Sequence, residues 1–167
     1  NKITFSKDGF EVNPIVISNE RKDRLNDHLM LFFTGFSRFS FTIQQEHEKA
    51  IKTKEQQLLE MLSLVDQAET ILTGGDLDEF GRLLDYTWKL KRGVNSAVST
   101  SQIDQAYATA VKAGALGGKL LGAGGGGFLL LYVQPDKQEQ VRKALCDLKE
   151  IPFQFETGGA RILYYAS

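Results

Sequence analysis

The sequence has little of several features that would mark a special class of protein. A single cysteine, Cys146, excludes an internal disulfide framework and a cysteine cluster for zinc, and it fits a reducing compartment. The longest uninterrupted apolar run, 128–133, is far too short to span a bilayer. We therefore expect a cytoplasmic protein with no membrane association.

Neither sign of charge is in excess. The 20 lysines and arginines balance 21 aspartates and glutamates, and no basic tract interrupts the sequence. This balance gives no support for binding nucleic acid or a membrane surface. The 167 residues suggest one domain, 1–167, and a start without methionine is typical of a processed or excised segment.

The pattern of apolar residues predicts an α+β fold, with a mixed or antiparallel sheet and helices packed on it. Strands are predicted at 3–5, 10–17, 29–34, 128–133, 151–155 and 161–165. Helix starts are predicted at Thr53, Asp76, Ser99 and Asp136, each followed three positions later by Glu or Gln. Helix ends are predicted at Gly74–Gly75 and at Gly114.

Half of the 16 glycines lie between 114 and 127. Such a run costs backbone entropy unless the chain needs positive φ or the close approach of another group, as phosphate-binding loops do. The GxGxxG match at 122–127 precedes a strand, whereas a dinucleotide-binding loop opens a helix. A Walker A loop is excluded because Leu120 follows Lys119. A phosphate loop and a simple tight turn both remain open.

Residues 119–127, KLLGAGGGG, resemble the third signature motif of GHMP kinases. The resemblance extends over nearly the whole chain as the C-terminal, ferredoxin-like domain of that family. The stretches 34–38, 80–91 and 103–119 are most similar to its bacterial branch of sugar 1-kinases acting on D-glycero-D-manno-heptose 7-phosphate.

This resemblance implies half of an ATP-dependent kinase that phosphorylates a small sugar or sugar phosphate, and most specifically heptose 7-phosphate at its anomeric hydroxyl. It assigns ATP, Mg²⁺ and the catalytic residues mainly to an N-terminal domain absent from this chain, so we expect the isolated chain to be inactive. The expected partners are that domain, a sugar phosphate and a second copy in a homodimer. The rival hypothesis is a non-catalytic module that binds a phosphorylated small molecule or a partner domain.

The resemblance also implies site residues. Those of the loop and cleft are Lys119, Gly122, Ala123, Gly124, Gly125 and Gly126. Candidate substrate residues are Thr34, Gly35, Ser37, Arg38 and Lys91. The residues themselves leave alternatives open, since Ser37 fits a helix cap and Lys91 fits a helix C-terminus, where it complements the dipole.

Overall fold

The computed structural model describes residues 1–35, 54–122, 126–156, 158–159, 162 and 164. The strands in these ranges are β1 (Lys2–Ser6), β2 (Gly9–Asn13), β3 (Leu29–Phe33), β4 (Ala115–Leu121), β5 (Phe128–Val133) and β6 (Lys149–Glu150). β1 and β2 form a hairpin, and the other four form a sheet of order β4-β5-β3-β6. Every pairing is antiparallel. The α+β prediction is confirmed.

Five α-helices accompany the two sheets in the described ranges. They are α1 (Asn19–Asp27), α2 (Glu55–Gly74), α3 (Leu77–Val94), α4 (Ser101–Lys112) and α5 (Gln138–Ala144). Single 3₁₀ turns at Ser96–Val98 and Pro135–Lys137 follow α3 and precede α5. Within this part of the chain, no helix combines the length and apolar character that a bilayer-spanning segment needs.

Successive side chains of each strand point to opposite faces of the four-stranded sheet. Apolar residues pack against both faces. One face carries the larger core, built from Met30, Phe32, Trp88, Ile103, Tyr107, Ala110, Leu129, Leu131, Val133, Val141 and Leu145. The other face packs Tyr132 with Leu25 of α1 and Leu77 of α3. A fully buried leucine stabilises the fold by about 1.5–3 kcal/mol, so the nearly continuous apolar run of β5 makes that strand the centre of the domain.

The structure confirms some of the predicted helix boundaries and contradicts others. Asp76 caps α3 as predicted, and its Oδ1 accepts from the Asp78 N–H. Thr100 rather than Ser99 caps α4 by accepting from the Ile103 N–H, because the Ser99 hydroxyl instead donates to Asp104 at 2.6 Å.

The predicted cap at Asp136 is also wrong. Asp136 lies in the 3₁₀ turn before α5, whose N-cap is Lys137 with no side-chain hydrogen bond. The predicted start at Thr53 lies outside the described residues, and α2 has Lys54 as its N-cap. The stops at Gly74–Gly75 and Gly114 are confirmed.

Two predicted elements differ more deeply. The segment 19–27, a polar stretch for which no helix or strand is predicted, is helix α1, capped by Ser18. The expected strand 151–155 is not formed: Ile151, just after β6, donates its N–H to the Leu31 carbonyl of β3 at 2.8 Å, but no strand is found from 151 to 155. At the end of this segment the Phe155 N–H is bound by a side chain instead of a strand, since Asn26 Oδ1 accepts from it at 3.1 Å. The expected strand 161–165 lies mostly outside the described residues.

The β1–β2 hairpin exposes one apolar face. Its register pairs Ile3 with Val12 and Phe5 with Phe10, so all four side chains point to the same side. Their exposed fractions run from 48% for Val12 to 78% for Phe5. An isolated two-stranded hairpin is marginal in water, and Lys2 anchors this one to α2 through Asp66 and Glu69 at 2.6 and 2.9 Å.

Candidate functional site

The glycine-rich segment is a hairpin connection between two strands rather than a long loop after a helix. β4 runs to Leu121, which pairs with Phe128 at the start of β5. Lys119, predicted to be in the loop, is therefore a strand residue. Gly122 and Gly127 bound the connection with φ values of +97° and +110°, a region that favours glycine.

The space beside Gly122 is open, because a Cβ built there meets no heavy atom within 4 Å. Gly126 is partly buried beside Gly127. The predicted loop residues Ala123, Gly124 and Gly125 lie outside the described residues. The described ends of the loop thus combine a glycine-specific backbone with unobstructed access at Gly122.

Thr34 fixes the far end of this loop to the end of β3. The Thr34 N–H and hydroxyl both donate to the Gly127 carbonyl at 2.9 Å, and the Gly127 N–H donates to Thr34 Oγ1 at 3.1 Å. Thr34 is only 4% exposed. We call these three hydrogen bonds the Thr34–Gly127 clamp.

The clamp brings together two predicted segments that are 93 residues apart in the sequence. Immediately after Thr34, Gly35 has a φ of +73°, which turns the chain away from the strand direction. The predicted substrate residues Ser37 and Arg38 follow Gly35 but lie outside the described residues. The described part of the 34–38 segment therefore adjoins the glycine loop.

Gly117 and Gly118 serve packing rather than an anion. A Cβ on Gly117 would collide with the Gly81 carbonyl and lie 2.7 Å from the Asp85 nitrogen. A Cβ on Gly118 would collide with the Leu130 carbonyl of the neighbouring strand. Because Gly81 and Gly117 have no side chains, α3 lies directly against β4. The last turns of α3 therefore lie beside the part of β4 that leads into the loop.

The last turns of α3 place Lys91 near Lys119. Lys119 shares the α3 face of β4 with Gly117, two residues earlier, and contributes with Thr87 to the wall of a cavity of about 380 Å³. Lys91 follows Thr87 by one helical turn. Burial lowers the pKa of Lys91, and the positive charge of Lys119 lowers it further.

The neighbouring charges of α3 are paired. Lys89 donates to Asp85 at 2.6 Å, and Arg92 donates to Asp104 at 2.9 Å. The other Asp85 oxygen accepts from the Tyr107 hydroxyl at 2.8 Å, and burial, followed by this hydrogen bond, raises the pKa of Tyr107. Asp85 is thus a structural acceptor between α3 and α4. The sequence does not predict this role, because the i,i+4 spacing of Asp85 and Lys89 indicates only their ion pair and not the contact of Asp85 with Tyr107.

A metal centre is not built from the described residues. These parts of the chain contain no group of three or more His, Cys, Asp or Glu side chains suited to hold a metal ion. A second cavity of about 330 Å³, lined by Thr34, Ala106 and Leu148 among others, lies between α4 and the end of α5. Its walls are mainly small or apolar, and no described lysine or arginine lines it.

Comparisons with known proteins agree on the family. A model described as GHMP kinases C terminal matches residues 61–150. The chain is 31% identical over 138 residues to D-glycero-alpha-D-manno-heptose 7-phosphate kinase of Campylobacter jejuni, which covers 80% of this chain and 40% of that protein. The chain therefore spans well under two thirds of the length of this relative.

Solved structures share the fold. A D-glycero-D-manno-heptose 1-phosphate kinase from Bacteroides thetaiotaomicron superposes with a TM-score of 0.56 at 26% identity, covering 92% of this chain and 41% of that one. Mevalonate kinase of L. major, solved with R-mevalonate, gives a TM-score of 0.72 at 22% identity, covering 89% and 47%. At that identity the second match shows the fold alone. Together with the motif at 119–127, these matches establish that the chain belongs to the GHMP kinase C-terminal family.

Proposed function

We propose that this chain forms one wall of the active site of an ATP-dependent kinase for a small sugar or sugar phosphate. The observation that carries the proposal is the Thr34–Gly127 clamp. Phosphoryl transfer asks a protein mainly for positioning and charge stabilisation. The clamp supplies positioning, because it holds Gly127, at the end of the glycine loop, beside Thr34, the first residue of the 34–38 segment.

The chain's own residues divide these tasks. We assign Gly122, Ala123, Gly124, Gly125 and Gly126 to the loop that meets a phosphate group, and Gly122 leaves room for it because a Cβ there meets no heavy atom within 4 Å. Lys119 lies on the strand that enters the loop. Its ammonium group supplies positive charge to stabilise the charge on the transferred phosphoryl group.

ATP and Mg²⁺ would supply the phosphoryl group and the divalent charge. We assign the magnesium ligands, the main phosphate-binding loop and the base to a separate N-terminal domain. The proposal is supported by the short span of this chain against its relative, 40% of the length.

We propose that the exposed face of the β1–β2 hairpin contacts this N-terminal domain. Ile3, Phe5, Phe10 and Val12 expose a continuous apolar surface. Surfaces of this kind on a domain mark contacts with other protein surfaces. If the N-terminal domain is missing, self-association into a homodimer covers the same face.

The substrate we propose is heptose 7-phosphate, phosphorylated at the anomeric hydroxyl. The sequence similarity to a heptose 7-phosphate kinase supports this substrate. Thr34, Gly35, Ser37 and Arg38 form the segment we assign to the substrate. An Arg suits a phosphate because its planar guanidinium can donate two parallel hydrogen bonds.

The proposed function is tested with the complete polypeptide that contains this chain. We expect it to consume ATP with heptose 7-phosphate at least ten times more efficiently (kcat/KM) than with galactose or mevalonate. In the same protein, Arg38→Ala should raise KM for heptose 7-phosphate much more than for the unphosphorylated heptose. Equal kcat/KM for heptose 7-phosphate, galactose and mevalonate would refute the substrate assignment. An equal rise in KM for heptose 7-phosphate and for the unphosphorylated heptose would show that Arg38 does not bind the phosphate.

A further inference from the structure

Lys91 and Lys119 come from separate elements but lie at one place. The Gly81–Gly117 contact sets α3 against β4, and the Lys119 side chain lines a cavity wall together with Leu84 and Thr87 of α3. Residues four apart on a helix share a face, so Lys91 lies one turn beyond Thr87 on the same side. The geometry of α3 on β4 therefore places the two lysines, 28 positions apart in the sequence, on the same side of the α3–β4 contact, and the charge of Lys119 reaches Lys91.

Neither lysine of the pair has a carboxylate counter-charge within the described residues. In the described part of the chain, neither the Lys91 nor the Lys119 side chain forms a hydrogen bond or an ion pair, whereas Lys89, on the same helix as Lys91, has Asp85 as its partner. One described carboxylate, Glu69, shares the cavity wall with Lys119 and is bound by Lys2 at 2.9 Å. Both Lys91 and Lys119 are partly buried.

Like charges that are close and partly desolvated repel each other, and this repulsion lowers the free energy of unfolding. The pKa of Lys91 is lowered by burial and by the charge of Lys119. An anion placed between the two ammonium groups would remove the repulsion and satisfy their donors. A phosphate dianion fits this need, since each lysine offers three donors to its oxygens.

We propose that Lys91 and Lys119 act together as one subsite for the phosphate group of a phosphorylated ligand. The inference rests on the proposed function for the identity of the ligand, and it joins two residues from different elements into a single binding unit. The phosphate can come from the sugar phosphate or from ATP. The chemistry is the same in both cases, and the experiment separates the two sources.

The test measures binding and stability without turnover. In the complete polypeptide, Lys91→Gln and Lys119→Gln are compared with Lys89→Gln, a control on the same helix whose ammonium group already has Asp85 as its partner. Isothermal titration gives Kd for heptose 7-phosphate, for the unphosphorylated heptose and for ATP. A thermal melt without ligand gives the Tm of each variant.

Each site variant should raise Kd for at least one phosphorylated ligand by about tenfold, the loss expected for one charge-assisted hydrogen bond, and leave Kd for the unphosphorylated heptose unchanged. Each should also raise Tm in the absence of ligand, because it removes the repulsion, whereas Lys89→Gln should lower Tm or leave it unchanged. The ligand whose Kd rises identifies the source of the phosphate.

Two results would overturn the inference. The first is an unchanged Kd for both heptose 7-phosphate and ATP in both site variants. The second is a fall in ligand-free Tm in both, which would show that each lysine stabilises the fold instead of being held near a like charge. A polypeptide that binds phosphate as expected but transfers none would refute the proposed function and leave the subsite standing.

Discussion

Replacing Thr34 with valine keeps the shape of the side chain and removes the hydroxyl from the Thr34–Gly127 clamp. The Gly127 carbonyl would still accept from the Thr34 N–H at 2.9 Å, but the Gly127 N–H would lose its acceptor at 3.1 Å. Because Thr34 is 4% exposed, water has little access to replace that acceptor. A buried donor left without a partner costs about 1–3 kcal/mol.

For a domain of this size, a loss of ~2 kcal/mol lowers Tm by about 4–8 °C. The freed loop end should also cost catalysis, since a misplacement of ~1 Å near the reacting groups can reduce rate by about 100-fold. The assay is urea unfolding and kcat on the same preparation of the complete polypeptide. The matched control is Thr73→Val, because Thr73 is exposed and bonds only to carbonyls of its own helix.

The clamp argument would be refuted if Thr34→Val lost less than ~0.5 kcal/mol of unfolding free energy and kept the parent kcat. A loss of stability with normal kcat in the folded protein would be a different result. It would show that the clamp serves the fold alone and that the loop needs no fixed end for transfer.

Three further predictions concern packing, charge and association. Gly117→Ala should lower the free energy of unfolding, measured with urea, by about 3 kcal/mol, because the added Cβ collides with Gly81. Gly74→Ala should leave it unchanged, because a Cβ there meets no heavy atom within 4 Å. Because the native pKa of Lys91 lies below 10.5, this residue binds fewer protons in the native state, so its own contribution to the free energy of unfolding should rise as pH approaches 10.5. Lys91→Gln should remove that contribution, which the difference between the pH profiles of parent and variant measures, and at pH 7 it should stabilise by ~0.2–0.5 kcal/mol after solvent screening. The isolated chain should self-associate in sedimentation, and Phe5→Glu with Phe10→Glu should make it monomeric.

These three predictions fail on separate grounds. Equal stability of the two alanine variants would mean that α3 does not rest on β4 at Gly117. A pH profile that is the same with and without Lys91 would mean that this lysine is not in a perturbed environment. A parent chain that stays monomeric at all concentrations would show that its exposed hairpin needs no partner.

Local signals predicted much of the fold. Strand β5 was predicted with its observed bounds, since six apolar residues in a row leave few alternatives to a buried strand. Asp76 was predicted as a cap because a side-chain acceptor beside an amphipathic stretch is a local signal. Helix α1 was missed because it buries only Leu25 and shows little apolar periodicity.

The errors in the site have a tertiary origin. Gly117 and Gly118 suggested a loop, since glycine is uncommon inside strands, but they stand in β4 because α3 and β5 approach too closely for a side chain. The Thr34–Gly127 clamp depends on the pairing of β3 with β5, which no local pattern encodes. That the site lies at the motif 119–127 stays a prediction, and the packing of α3 on β4, which the sequence does not show, brings the charge of Lys119 to Lys91.

The central claim is that this chain is one half of a sugar kinase active site, and a comparison of two proteins tests it most directly. ATP-dependent phosphorylation of heptose 7-phosphate is measured for the 167-residue chain alone and for the complete polypeptide at equal molar concentration. We predict transfer by the complete polypeptide and none by the chain alone. Phosphorylation of any sugar by the isolated chain, or none by the complete polypeptide with any of heptose 7-phosphate, galactose or mevalonate, would contradict the account.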